Sequence, residues 1–259
     1  MNCNPSDPKG AGIVDVWQEI IPVRFGLIDR SDRLTLDAVF QFFQEAAICH
    51  AENLGVGRED MARTGQAWIL SRMSVKVDRR PMYRDTVTVR SWPRGFEKLF
   101  AMRNFEIKDD SGESVIFGRS GWLIVDMEKR RPLRPQTVMD MLPQNEGLET
   151  FTPEENAACG LAEKNNLQKA AERKALYTDL DYNGHVNNVR YIQWIEDTLD
   201  LSLLEKTGKL RLDINYLNEI LAGEKTDILS AKIADNAYAF EGRKENGQAA
   251  FRAELYLFN

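Results

Sequence analysis

The sequence predicts an α+β chain made of two units with one plan, each a long helix packed on an antiparallel sheet. Three observations predict it. The order strand, helix, strand-rich run occurs twice along the 259 residues. A shift of 150 lays LTLDAVFQFFQEA (34–46) on GHVNNVRYIQWIE (184–196), and a shift of 139 lays VKVDRRPMYRDTVTV (75–89) on INYLNEILAGEKTDI (214–228). A helix followed by a strand-rich run must bury its apolar stripe on that sheet. Identity between the halves is low, so the repeat rests on pattern.

Residues 14–27 are rich in Val and Ile and read as a strand. Leu36, Val39, Phe40, Phe43, Ala47 and Leu54 then fall near helical spacing, with Gly55 as a stop. An extra loop is expected at 55–67. Strands follow in AWILSRMSVKVD, DTVTVRSWPRG, KLFAMRNFEIKDDSGES and VIFGRSGWLIVDMEKRRP, with Asp109–Gly112 as a hairpin turn. Residues 138–172 are polar and without strand pattern, and read as a connector. KALYTDL (174–180) reads as a strand. Val186, Val189, Ile192, Ile195 and Leu199 step along a helix. KLRLDINYLNEI puts Leu210, Leu212, Ile214 and Tyr216 on one face of a strand. KTDILSAKIAD, AYAFEGRKENG and QAAFRAELYLF complete the second sheet, with a turn at Glu245-Asn246-Gly247. The expected boundaries are a flexible tail at 1–13, a first domain at 14–137, the connector at 138–172 and a second domain at 173–259.

Composition sets limits on function. Hydrophobic residues make up 43% of the chain, which is enough for a proper core. A chain of this length hides roughly 70–75% of its unfolded surface. No apolar run approaches the roughly 20 residues of a membrane span. The start, MNCNPSDPKGAG, lacks the basic and apolar regions of a signal peptide. Cys3, Cys49 and Cys159 are an odd count without metal-like spacing, which fits a reducing cytoplasm. The formal charge of −6 argues against non-specific nucleic-acid binding.

The chemistry is expected at DLDYNGHVNNVRYIQWIED (179–197), which holds one of the two histidines. Asp181, Asn183, Gly184 and His185 sit just before the helix, and Asn187 or Asn188 is a suitable N-cap. Free N–H groups at a helix start suit developing negative charge. The same helix end disfavours a cation, leaving His185 as a base or a water ligand. Gly184 lets a group approach the backbone closely. An oxyanion site beside a base suits hydrolysis of an ester-like carbonyl. A capped helix start with a turn explains the same polar residues without chemistry. The continuation through Asn187, Asn188, Tyr191, Trp194 and Glu196 is more specific than such a cap needs.

That string resembles the hotdog-fold thioesterase signature D-x-x-x-H-x-N-N-x-x-Y. Residues 68–93 (WILSRMSVKVDRRPMYRDTVTVRSWP) and 120–135 (SGWLIVDMEKRRPLRP) are similar to segments of the acyl-acyl carrier protein (ACP) thioesterases, the plant plastid enzymes and their bacterial relatives. The resemblance runs from about residue 15 to 259. It implies two tandem hotdog domains, hydrolysis of fatty acyl-ACP to free fatty acid, and no cofactor or metal. It implies a catalytic set of Asp181, Asn183, His185 and Glu219. Plant members carry a Cys after that Glu, where this chain has Ile220, so water is the expected nucleophile. Plant members also carry a transit peptide, and its absence here fits a bacterial, cytoplasmic protein.

Substrate contacts are expected from Val186, Asn187 and Asn188. Phe40, Phe42, Phe43, Trp68 and Trp92 read first as core; Phe40, Phe43 and Trp92 are also candidates for an acyl slot. His50 reads as packing or capping, and Glu45 and Glu52 as solvated. Lys129, Arg130, Arg131 and Arg134, with Arg79, Arg80 and Arg84, stand out in an acidic chain. The acidic ACP needs a local cationic patch to overcome repulsion, so Arg130, Arg131 and Arg134 are its expected dock. The other expected partner is the fatty acyl chain, and a homodimer is left open. The shifts set Arg33, Thr35 and Arg80 against Asn183, His185 and Glu219. One active site per chain is therefore expected, with the first half helping to form the acyl pocket. Rival readings are an acyl-CoA thioesterase of the same fold, a hydroxyacyl-ACP dehydratase and a fatty-acyl binding module. The dehydratase signature H-F-P-G-x-x-P has prolines that GHVNN lacks, and binding alone needs no such polar set.

Overall fold

The computed structural model describes residues 12–145, 147–148 and 159–258. Cys3 and the expected tail up to residue 11 lie outside the described residues, as do 146 and 149–158 of the expected connector. The chain divides into two compact units, Met1–Met73 with Arg80–Asn156 and Ser74–Arg79 with Ala157–Asn259. No helix among the described residues is long and apolar enough to cross a membrane.

The first unit holds β1 (Trp17–Pro22), a 3-10 turn (Phe25–Leu27), α1 (Leu36–Asn53), α2 (Arg58–Arg63), β2 (Gln66–Val77, which runs on past Met73 into the second unit), β3 (Thr86–Glu97), β4 (Phe100–Lys108), β5 (Ser114–Asp126), β6 (Arg131–Pro132) and α3 (Gln136–Met139). Its strands lie in the order β1-β3-β4-β5-β2, with β6 beside β5. Thr35 caps α1 through its hydroxyl, which accepts from the Ala38 N–H at 3.4 Å. The expected apolar face of α1 is buried, and the helix packs on β1 and β3. Phe43 stacks on Phe105 at 4.8 Å. Gly118 makes room for that pair, since a Cβ there would meet the Phe43 ring at 2.6 Å. The expected loop at 55–67 contains α2, whose Met61 packs with Leu54, Val56, Ile124, Val138 and Leu142.

The second unit holds α4 (Leu161–Lys164), β7 (Gln168–Lys174), a 3-10 turn (Tyr177–Asp179), α5 (Asn188–Glu196), α6 (Leu201–Lys206), β8 (Lys209–Tyr216), β9 (Lys225–Ala234), β10 (Ala237–Lys244) and β11 (Ala249–Phe258). Its order, β7-β9-β10-β11-β8, repeats the first sheet strand for strand. Three expectations are corrected here. The strand expected at KALYTDL lies earlier, in β7, so it starts inside the expected connector. β7 is an edge strand exposed along most of its length, and it pairs by charge: Lys169 with Glu172 at 2.9 Å and with Asp227 at 2.6 Å. Charge guards such an edge, so no apolar alternation marks it. The second helix is short. α5 ends near Thr198, whose hydroxyl donates to the Ile195 carbonyl at 2.8 Å, and Asp200 starts α6 by accepting from Ser202 N–H at 2.8 Å. Val186 and Leu199 therefore lie just outside it.

His50 is fully buried in the first unit. Its Nε2 lies 2.8 Å from the Val14 carbonyl and its Nδ1 3.0 Å from Arg103 Nη1. That geometry fits the neutral ring with its proton on Nε2. Burial and then the Arg103 charge push its pKa down to about 3. An unfolded histidine takes up its proton near pH 6.5. As pH falls below that value, the unfolded chain binds a proton that the folded one refuses, so stability drops. The loss from this group is at most roughly 1.4 kcal/mol per pH unit. Thermal unfolding should therefore fall between about pH 7 and pH 4, and fall less in His50→Gln; an equal fall would show that His50 does not control it.

Candidate active site

Three turns converge in the second unit, at 176–179, 181–184 and 221–224. Each is closed locally. Leu176 N–H donates to Asp179 Oδ2 at 2.8 Å, Gly184 N–H to the Asp181 carbonyl at 3.0 Å, and Leu221 N–H to Glu224 Oε2 at 2.7 Å. They are then stitched together. Gly223 N–H donates to the Ala175 carbonyl at 2.9 Å, and Val186 N–H to the Ile220 carbonyl at 2.9 Å. Leu180 bridges Val186, and His185 bridges Leu221.

The expected residues are disposed on this frame as follows. Asp181 Oδ1 accepts from the backbone N–H of Asn183 at 2.8 Å and of His185 at 3.2 Å. Its carboxylate thus shapes the turn that presents both residues. Gly184 closes the turn at φ +78°, in the left-handed region. His185 Nε2 lies 3.3 Å from Glu219 Oε2, with the side chains 34% and 55% exposed, so water reaches the pair. Asn183 is exposed. Asn187 is the N-cap of α5; its Oδ1 accepts from Val189 N–H at 3.0 Å, and Asn188 is the first helical residue. Val186 and Ile220 are buried. Lys244 was not anticipated. Its Nζ donates to the Glu219 carbonyl at 2.8 Å and pairs with Glu224 at 2.9 Å, holding the stretch that carries Glu219.

Other expected residues lie in the first unit. Phe40, Phe43 and Trp92 are buried in its core, and Trp92 Nε1 donates to the Leu148 carbonyl at 3.1 Å. Lys129, Arg130, Arg131 and Arg134 are exposed after β5, in and beyond a turn held by Asp126, which accepts from the Glu128 and Lys129 N–H groups. Those bonds, with the charges of Lys129 and Arg131, keep the Asp126 carboxyl below its ordinary range. Cys49 and Cys159 are buried free thiols. Burial pushes Cys49 up to about 12 and raises Cys159 as well, which disfavours the nucleophilic thiolate.

The first unit repeats the frame with other side chains. Asp29 Oδ1 accepts from Ser31 N–H at 2.8 Å and Arg33 N–H at 3.2 Å, and Arg33 bridges Met82. The match to Asp181, Asn183 and His185 is a shift of 152, which corrects the shift of 150 taken from the helices. Ser31 and Arg33, rather than Arg33 and Thr35, stand where Asn183 and His185 stand. Thr35 matches the capping Asn187. Arg80 does match Glu219, and it turns to Asp29 Oδ2 at 2.7 Å. Two arginines thus occupy the places of the histidine and the glutamate.

Comparison with known proteins meets this geometry. The family model described as the acyl-ACP thioesterase N-terminal domain matches residues 14–140, and the one described as the C-terminal domain matches 162–255. The chain belongs to the acyl-ACP thioesterase family. It is similar to the chloroplastic palmitoyl-acyl carrier protein thioesterase of Arabidopsis thaliana, at 26% identity over 82% of this chain and 55% of that protein. It is also similar to oleoyl-acyl carrier protein thioesterase 2 of the same plant, at 25% over 89% and 67%. The chain thus spans about half the length of the first of these relatives. Among solved structures, an acyl-ACP thioesterase from Bacteroides thetaiotaomicron superposes with a TM-score of 0.82 at 22% identity, covering 98% of this chain and 100% of that one. The 12:0-ACP thioesterase from Umbellularia californica gives 0.77 at 20%, covering 95% and 98%. These likenesses carry the fold, which in this family is two hotdog domains in tandem.

Position 184 gives a direct check of the turn. The matching residue of the first unit is Asp32, which holds φ +59°. Short polar residues visit this region more easily than branched ones. Gly184→Asn should cost little stability and Gly184→Val about 1–2 kcal/mol, measured by denaturant unfolding; equal costs would mean the turn does not need this backbone.

Proposed function

We propose that the protein is an acyl-ACP thioesterase, hydrolysing fatty acyl-ACP to free fatty acid and ACP by direct attack of water. The observation that carries the reading is the solvent-reached pair of His185 and Glu219, held 3.3 Å apart on a built turn. The pair takes a proton from water as the oxygen attacks the thioester carbonyl. Asn183 and the Asn188 N–H at the start of α5 meet the oxyanion. The C–S bond then breaks, and the proton passes to the departing thiolate. Asp181 acts by fixing the turn. The scarcity of thiolate at Cys49 and Cys159, and Ile220 after Glu219, support water over a protein nucleophile.

The acyl chain is assigned to Val186, Asn187 and Asn188, next to the pair. Phe40, Phe43 and Trp92 are so tightly packed that an acyl chain meets them only if the first core opens. ACP is assigned to Arg130, Arg131 and Arg134, whose charge suits an acidic carrier. The free, buried cysteines support a reducing cytoplasm. A bacterial source remains part of this reading.

A panel of acyl-ACPs beside the matching acyl-CoAs, assayed for thiol release, decides the substrate. Faster turnover of the ACP esters is expected, and preference for CoA esters would favour the rival thioesterase. His185→Ala and Glu219→Gln should each lower kcat by roughly 10²–10⁴ while unfolding normally. Replacing Cys49 and Cys159 with Ser should leave kcat within a few-fold. Arg130→Glu with Arg131→Glu should raise KM for acyl-ACP and leave small thioesters untouched; equal loss on both would point to damage elsewhere.

A further inference from the structure

Lys244 ends β10, where its N–H donates to the Gln248 carbonyl at 2.9 Å and closes the hairpin to β11. A lysine at a strand end usually reaches into water. This one turns back. Its side chain is only 12% exposed, and its ammonium spans the Glu219 carbonyl at 2.8 Å and Glu224 Oε2 at 2.9 Å. The same Glu224 oxygen closes the 221–224 turn by accepting from Leu221 N–H at 2.7 Å. The stretch before that turn is held residue by residue. Leu217 and Asn218 N–H both donate to the Ala250 carbonyl, at 2.8 and 3.0 Å, and the Ile220 carbonyl accepts from Val186 N–H at 2.9 Å. Glu219 lies between these anchors, past the end of β8, and its carbonyl is held by the lysine side chain. Ordering so long a side chain costs entropy, which its charged contacts offset.

The first unit supplies a natural control. At the shift of 139, Asp85 stands for Glu224 and Met82 for Leu221. The turn is closed in the same way, since Met82 N–H donates to Asp85 Oδ2 at 2.8 Å. The lysine is not kept. Ser91 faces Phe105 across β3 and β4 as Ser230 faces Phe240 across β9 and β10, and four residues further on Asp109 stands where Lys244 stands. Asp109 serves its own hairpin, where Oδ1 accepts from the Ser111 and Glu113 N–H groups, each at 3.0 Å. An ionised carboxylate has no proton to donate to a carbonyl. So the unit without the histidine and the glutamate closes the turn and lacks the clamp. A contact needed just for folding the turn would serve both copies alike.

We infer that Lys244 is a positioning residue: through the Glu219 carbonyl it holds the Glu219 carboxylate at its distance from His185. This rests on the proposed role of the pair. Removing the ammonium should lengthen or spread the Glu219–His185 separation, while Glu224 still closes its turn.

The test is Lys244→Met in the full chain, which keeps most of the stem and removes the donor. With fatty acyl-ACP, kcat should fall about tenfold, the order of one general-base arrangement partly lost, with KM within about twofold and folding intact. Lys244→Arg keeps a cationic donor and should recover part of that loss. The effect should disappear in a Glu219→Gln background, because a residue that acts through Glu219 has nothing left to position. An unchanged kcat, or the same fold-loss in both backgrounds, would overturn the inference. Should Lys244→Met not fold, Lys244→Gln takes its place with the same readouts. If the unaltered enzyme released no thiol from acyl-ACP, the proposed function would fail instead. The crystal structure of the Lys244 variant then decides the clamp by itself: a Glu219–His185 separation still fixed at 3.3 Å, as in the parent, would sink it.

Discussion

The hydrogen bond from Val186 N–H to the Ile220 carbonyl is the joint on which the site depends. It fastens the residue after His185 to the residue after Glu219, two points more than thirty positions apart in sequence. Side chains that diverge from one bonded pair of backbones have little freedom to separate. The pair's 3.3 Å spacing is therefore set mainly by main-chain geometry, with Asp181, Lys244 and Glu224 holding the flanking turns. Rigid support of this kind is what the proposed proton transfer requires, since misplacement costs rate steeply. The side chains themselves remain open to water.

The two units carry one frame with different side chains. Each retains the 3-10 turn, the carboxylate-closed loop, the bridge and the capped helix. Each also keeps a positive-φ residue after the loop, Asp32 in one and Gly184 in the other, and another at Arg84 and Gly223. Non-glycine residues bear a cost in that region. The first unit accepts it twice, while the unit with His185 uses glycine. Its own pair of positions is filled by Arg33 and by Arg80, which is bound to Asp29. The frame is thus a structural inheritance, and the chemistry is a matter of a few side chains mounted on it.

Much of this was legible in the sequence where burial is one-sided. α1, β3 and β8 to β11 announce themselves by apolar periodicity. β7 does not, because its residues face solvent and pair by charge. The shortness of α5 was hidden because Val186 and Leu199 continue its apolar step beyond its ends. At the site, Asp181, Asn183 and His185 stand close in sequence and show as a cluster. Glu219 carries no local signal, since its partner comes from a distant strand, and the family resemblance alone pointed to it. The two-residue error in matching the halves came from aligning helices, whose faces tolerate slippage. Asp29 and Asp181, each followed by a left-handed residue three positions on, were the better marker. Lys244 acts through a backbone group, the Glu219 carbonyl, which no residue pattern displays.

The route of oxygen tests the central claim, that the pair delivers water directly to the thioester. A single turnover with enzyme in excess over fatty acyl-ACP, run in water labelled with oxygen-18, separates the possibilities by mass spectrometry of the fatty acid. Direct attack by water places one labelled oxygen in every product molecule of that first turnover. Attack by the Glu219 carboxylate forms an anhydride with the acyl group, and its breakdown by water at the protein's carbonyl sends an unlabelled protein oxygen into the product. Full labelling in that turnover is the result the geometry predicts, and a deficit of label in the fatty acid would contradict it.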